Sequence, residues 1–209
     1  MIDFWETTLN TSKFLSWLVF SQVEIYATIL GFIYLVYSIL GNRLMWIFGL
    51  ITSAIYVYIC YTSKIYADMG INSYYVVISI YGWFAWQNCS GNQSVGYKKV
   101  SKNLVFVLLI ITLLLYTVIA FVLLKFTDSD VVYFDALTTS LSITATWMLA
   151  RKIIEHWIVW IFVDALSVAL YLYKGLYPTT VLFLVYTILA ISGYITWNKK
   201  WKAENLQIN

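Results

Sequence analysis

"EHWIVWIFVDALSVALYLYKGLY" (residues 155–177) reads as a membrane-crossing helix with an acid at its centre. Asp164 lies seven residues after Trp157 and four after Trp160. A carboxylate at the middle of a membrane helix costs about 2.5–3.5 kcal/mol on insertion scales, so such a residue marks a functional site by default. The whole chain fits a membrane setting. Of its 209 residues, 62% are hydrophobic and 11% charged, against about 25% charged in soluble domains.

Roughly 20 apolar residues carry a helix across a bilayer, and isolated strands cannot satisfy their backbone there. Seven stretches qualify: 20–40, 44–62, 72–88, 104–124, 133–150, 157–173 and 179–197. The expected fold is therefore an all-α membrane protein of seven transmembrane helices. Turns such as Gly41–Arg43 and Lys174–Gly175 are short, and the polar run QNCSGNQSVGYKKVSKN (87–103) is the candidate linker or hinge. Arg43, Lys98, Lys99, Lys102, Arg151, Lys152, Lys199, Lys200 and Lys202 fall on one side, nine in all, against Lys13, Lys64, Lys125 and Lys174 on the other. By the positive-inside rule the C-terminus is cytoplasmic and the N-terminus outside. Residues 1–19 carry Phe4, Trp5, Phe14, Leu15, Trp17 and Leu18 among polar residues, as an interfacial helix does. They lack the basic start and cleavage site of a signal peptide.

Shifted against itself by 111 residues, the chain matches without a gap from 24 to 86, with eleven identities in 63 positions. Trp46 meets Trp157, Tyr66 meets Tyr177, Tyr75 meets Tyr186, Gly82 meets Gly193, Trp86 meets Trp197, and Glu24 meets Asp135. Three spans repeat, with one lone span between the copies, so both copies take the same orientation. This is a 3+1+3 arrangement of parallel repeats, the class of the SWEET sugar transporters, in which the site lies between the copies. The expected organisation is an N-terminal interfacial segment (1–19), repeat 1 (20–88), a linker loop and helix (89–125), repeat 2 (126–198) and a cytoplasmic tail (199–209).

Offsets of three, four and seven share a helix face, which aligns Trp157, Trp160, Asp164, Ser167 and Tyr171. The equivalent stripe on the second span is Trp46, Gly49, Ser53, Tyr56 and Cys60. The first is bulky and charged and the second small at two levels, which suits one asymmetric ligand between similar walls. The candidate substrate-binding residues are Trp46, Gly49, Ser53, Tyr56, Trp157, Trp160, Asp164, Ser167 and Tyr171. Glu24 and Asp135 sit in first turns, where a carboxylate favours the helix dipole. Trp86, Trp197 and Trp201, at span ends, fit an aromatic belt.

Other chemistry is excluded by what the sequence lacks. Cys60 and Cys89 are isolated, and His156 is the lone histidine, so no metal site or cofactor is expected. There is no nucleophile–base constellation of an enzyme and no basic patch for nucleic acid.

Glu155–His156–Trp157, Trp160 and Asp164, with LYLYKGLY (170–177), GYITW (193–197) and SKIYADMGINSYYVVISIYGWFAW (63–86), resemble the PnuC family of vitamin transporters over residues 20–200. That resemblance implies uptake of nicotinamide riboside across the bacterial cytoplasmic membrane. It also implies a SWEET-like fold, a homotrimer, and uncoupled facilitated diffusion with trapping by a cytoplasmic kinase. A sister group in the family, PnuT, carries thiamine, and YADMGINSYYV (66–76) and WMLARK (147–152) resemble the branch where it occurs. Both vitamins are flat aromatic cations, which a Trp face attracts and a carboxylate neutralises. The expected partner of Asp164 is the ligand itself.

Overall fold

Long apolar runs broken by Gly, Asn, Lys and Asp set the helix ends. The computed structural model describes Tyr26 and residues 29–62, 66–87, 96–127 and 130–206. The expected N-terminal interfacial segment, Glu24 and Cys89 lie outside them. Within the described residues seven helices run in order: α1 (Ile29–Leu40), α2 (Met45–Thr62), α3 (Tyr66–Gln87), α4 (Lys102–Phe126), α5 (Val132–Ala150), α6 (His156–Tyr173) and α7 (Tyr177–Leu206). α2, α4, α6 and α7 are each long and apolar enough to cross a membrane. Helix α3 begins six residues earlier than hydropathy suggests. Its first turns carry Asp68, Gly70 and Asn72, which lower hydropathy without breaking a helix. Helix α7 runs on through Lys199, Lys200 and Lys202 to Leu206, so most of the expected tail is helical.

Helix α2 packs on α3, α6 on α7, α4 on α5, and α5 on both α3 and α6. Helix α4 touches the bundle through Leu108, Ala120 and Leu123 and through a Thr112–Thr144 hydroxyl pair 2.8 Å apart. Phe106, Leu109, Leu113, Leu114 and Phe121 point outward, a surface suited to lipid rather than water.

Positions 111 apart make matching contacts. Trp46 and Trp86 meet edge-on, 5.6 Å apart at 89°, and Trp157 and Trp197 do so at 5.8 Å and 87°. A Cβ added at Gly193 would lie 2.6 Å from the Trp157 indole, and one at Gly82 would overlap the Trp46 indole. These glycines are the cradles that let two indoles lie flat on a neighbouring helix. Gly41, after α1, and Lys152, after α5, both turn left-handed, at φ 67° and 56°.

One end of the bundle is tied across the halves. Trp86 Nε1 donates to the Ala150 carbonyl at 3.1 Å. Trp197 Nε1 donates to Ser38 and Ile39 carbonyls at 3.0 and 3.1 Å. Ala150 and Ile39 are themselves 111 apart, so the two ties are reciprocal. Both indoles are buried, so they serve as latches rather than as the lipid-facing belt expected of them. A strap over the same end, residues 96–101, pairs Lys98 with the α5–α6 turn through Lys98 N–Lys152 O and Ile154 N–Lys98 O, each 3.0 Å. Carboxylates clamp it: Tyr97 N donates to Glu204 at 3.0 Å and Val100 N to Glu155 at 2.9 Å. Burial, with the Glu204 carboxylate nearby, pushes the Tyr97 hydroxyl up to about 12, so it stays neutral. Basic groups gather here over aromatic rings: Arg43 over Trp83, Arg151 over Trp147, Lys152 over Trp86 and Lys99 over Trp201.

Candidate functional site

The indole layer formed by Trp46, Trp86, Trp157 and Trp197 lies next to two adjoining cavities. The first, about 330 Å³, is bounded by Trp157, Trp160 and Asp164 of α6, Leu182, Tyr186 and Ala190 of α7, and residues of α1 and α2. The second, about 250 Å³, is bounded by Trp46, Gly49 and Ser53 of α2, Tyr75 and Ser79 of α3, and Thr146 of α5. Gly31, Tyr34, Thr52, Tyr56 and Trp160 line both. The walls correspond: Trp46, Gly49, Ser53, Tyr75 and Ser79 of the second are 111 residues before Trp157, Trp160, Asp164, Tyr186 and Ala190 of the first. The larger cavity falls at the lower end of the range for small-molecule pockets, about 300–1,000 Å³.

Asymmetry between the two has a local cause. At Gly49 the room that an indole would need is taken by the Tyr34 ring, 3.1 Å from where a Cβ would stand. Trp160 keeps its indole and is one of the five residues that line both cavities. Asp164 is 6% exposed, and among the described residues no ion pair or hydrogen bond engages its carboxylate. Among the described residues no Lys or Arg lines either cavity. A buried carboxylate facing a cavity without a protein cation is ready for a cation from outside.

Polar atoms elsewhere in the walls are also unspent. Five buried side-chain polar atoms lack a hydrogen-bond partner among the described residues. Four of them belong to wall residues: Trp46 Nε1, Thr52 Oγ1, His156 Nε2 and Trp157 Nε1. Orphaned buried polar groups are rare because each costs about 1–3 kcal/mol. Their concentration here fits a site whose partner is a polar ligand.

Of the nine sequence candidates, Trp157, Trp160, Asp164 and Tyr56 line the first cavity, and Trp46, Gly49, Ser53, Tyr56 and Trp160 the second. Ser167 and Tyr171 line neither. The Ser167 hydroxyl is spent on the Val163 carbonyl at 2.9 Å, and Tyr171 stacks on Phe183 at 5.2 Å. Sequence reasoning missed Tyr34, Thr52, Tyr75, His156 and Tyr186. Tyr75 and Tyr186 carried a signal, since they match each other in the repeat.

The profile of one protein family, described as nicotinamide mononucleotide transporter, matches residues 21–199. The chain belongs to this family. As a member of it, the protein is a multi-pass membrane transporter of a small molecule. Proteins similar to this chain include the nicotinamide riboside transporter PnuC of Escherichia coli K12, 24% identical over 203 residues, covering 85% of each chain. The PnuC of Neisseria mucosa is 25% identical over 193 residues, covering 87% of this chain and 73% of its own. In three dimensions the chain shares its fold with the vitamin B3 transporter PnuC, solved by crystallography. The TM-score is 0.70 at 24% identity, covering 88% of this chain and 83% of that one.

Proposed function

We propose that this protein takes up nicotinamide riboside across the bacterial cytoplasmic membrane by facilitated diffusion, in a 3+1+3 fold of two parallel repeats. The observation that carries this reading is Asp164, buried in a cavity wall one helical turn from Trp160 and without a protein cation. Nicotinamide riboside is a pyridinium cation with ribose hydroxyls. The ring lies against the Trp160 face, gaining about 0.5–2 kcal/mol, and Asp164 supplies the countercharge. The hydroxyls and carboxamide meet the unspent polar atoms of Thr52, Trp157 and Trp46.

The family's description names the mononucleotide, and the relatives are named for the riboside. The cavity favours the riboside. A phosphate brings a charge of about −1.5 to −2 at neutral pH, and here it would meet no Lys or Arg among the described wall residues and a repelling Asp164. Transport follows if the halves rock around the cavity, with Trp160 as the wall that both halves share. Inside the cell, phosphorylation by a kinase converts the riboside to that excluded anion and keeps uptake one-way. The protein assembles as a homotrimer, as its PnuC resemblance implies.

The direct test is a titration of purified protein with nicotinamide riboside, nicotinamide mononucleotide and thiamine. The riboside binds and the mononucleotide binds at least tenfold more weakly. Tighter binding of thiamine assigns the protein to the thiamine branch instead, and tighter binding of the mononucleotide removes the argument from Asp164.

A further inference from the structure

We infer that His156 is a substrate-contacting residue that reads a hydroxyl of the sugar, an inference resting on the nucleoside reading above. The ring is fully buried between Trp157, at 4.6 Å, and Trp197, at 4.8 Å. Its Nδ1 lies 2.7 Å from the Ile153 carbonyl oxygen. A carbonyl can only accept, so Nδ1 carries the proton and donates. In the neutral ring this fixes the tautomer and leaves Nε2 as an acceptor lone pair. That Nε2 is buried and has no partner among the described residues, yet His156 lines the larger cavity beside Trp157 and Asp164.

Trp157 Nε1 is also buried and has no partner among the described residues. The neighbouring pair thus offers one acceptor and one donor and nothing charged. A hydroxyl is the small group that meets both, donating to His156 Nε2 and accepting from Trp157 Nε1. The position is peculiar to the second half, because the residue 111 before His156 is Met45, buried and without a hydrogen-bonding nitrogen. Division of labour follows: Trp160 and Asp164 select the cationic ring, and His156 distinguishes a ring that carries a polyhydroxylated sugar from one that does not. A site built to hydrogen-bond a hydroxyl rejects the analogue without it, because its own polar atoms then stay unpaired.

His156 is the single histidine of the chain, so labelling with ¹⁵N-histidine gives one imidazole and needs no assignment. The experiment uses the full chain in nanodiscs, with nicotinamide riboside and 1-methylnicotinamide, which has the same cationic ring and no sugar. Tryptophan fluorescence reports binding and ¹⁵N resonances report the ring. The riboside is expected to shift the unprotonated Nε2 resonance, while 1-methylnicotinamide binds and leaves it in place. His156→Phe keeps a ring and removes the acceptor. It is expected to cut the preference for riboside over 1-methylnicotinamide by roughly fivefold, the worth of one hydrogen bond, and the labelled wild type covers the case where this variant does not fold. Riboside binding with an unmoved Nε2 resonance overturns the inference and leaves the functional reading intact. Wild type that binds neither ligand overturns both.

Discussion

An indole face and a carboxylate one helical turn apart hold a flat organic cation in different ways, and their removal has different signatures. On the proposed reading, Trp160→Ala deletes a cation–π contact of about 0.5–2 kcal/mol and removes one of the side chains that line both cavities. Affinity for the riboside is expected to fall roughly tenfold, read by titration. Asp164→Ala removes the countercharge and also the burial cost of an acid, up to about 2.5–3.5 kcal/mol. Affinity is therefore expected to fall at least tenfold while the unliganded protein melts at the same or a higher temperature. Wild-type affinity with a lower melting temperature would make Asp164 a structural lock between helices instead. Spacing along α6 was enough to put Trp157, Trp160 and Asp164 on one face, because three and seven residues return a helix to the same face, and all three line the first cavity. It could not show where the cavity stops. Ser167 and Tyr171 share that face but lie beyond the cavity walls, against Val163 and Phe183. Tyr34 and Thr52 come from other helices, and no pattern within α6 points to them.

Paired elements share one construction: an indole at the start of a helix lies on a glycine of the next. Gly82→Ala and Gly193→Ala each drive a methyl into an indole, and overpacking of this kind costs about 1–3 kcal/mol. Both variants are expected to melt lower than wild type. Gly31→Ala is not, since nothing lies within 4 Å of its added Cβ. Equal melting temperatures for all three would remove the cradle argument. The reciprocal latches make a further prediction. Trp86→Phe and Trp197→Phe keep an aromatic ring and lose the Nε1 donor, so the tied end should open more often. A cysteine placed at Ser38, 2% exposed and lining the larger cavity, would then react severalfold faster with an impermeant maleimide from the lysine-rich side. An unchanged rate shows that the latches do not limit access there. The 111-residue offset made the Trp–Gly pairs legible, because both partners recur together. The latches were not legible: each joins an indole to a backbone carbonyl on the other half, and a carbonyl leaves no mark in sequence. The start of α3 was hidden for a related reason, since Asp68, Gly70 and Asn72 look like a loop on a hydropathy scale while helical propensity tolerates them.

For the whole molecule, orientation and energetics are open to direct measurement. Four of the nine basic groups that the sequence placed on one side, Arg43, Lys152, Arg151 and Lys99, sit over Trp83, Trp86, Trp147 and Trp201 at one end. A reporter fused after Asn209 should be active only in its cytoplasmic form, and a periplasmic reporter active there would invert the assignment. Orientation bears on how uptake is driven. Among the described residues Asp164 is the one acid in the cavity walls, and no second carboxylate there lines either cavity to form a relay, whereas pumps and transporters driven by protons use chains of such groups. An acid that meets a cationic ligand is already spent in the loaded state, so no further cation has to travel with the substrate. The protein should then carry nicotinamide riboside down its gradient only, with phosphorylation inside the cell keeping the flow inward. Reconstituted into sealed liposomes without a kinase, it should bring the riboside to equal concentrations on both sides and stop. An imposed pH or sodium gradient should leave that end point unchanged, and enclosing a riboside kinase with ATP should raise the total label inside well above it. Accumulation of unmodified riboside under an ion gradient, with no kinase present, would mean instead that Asp164 carries a coupling ion on the return step.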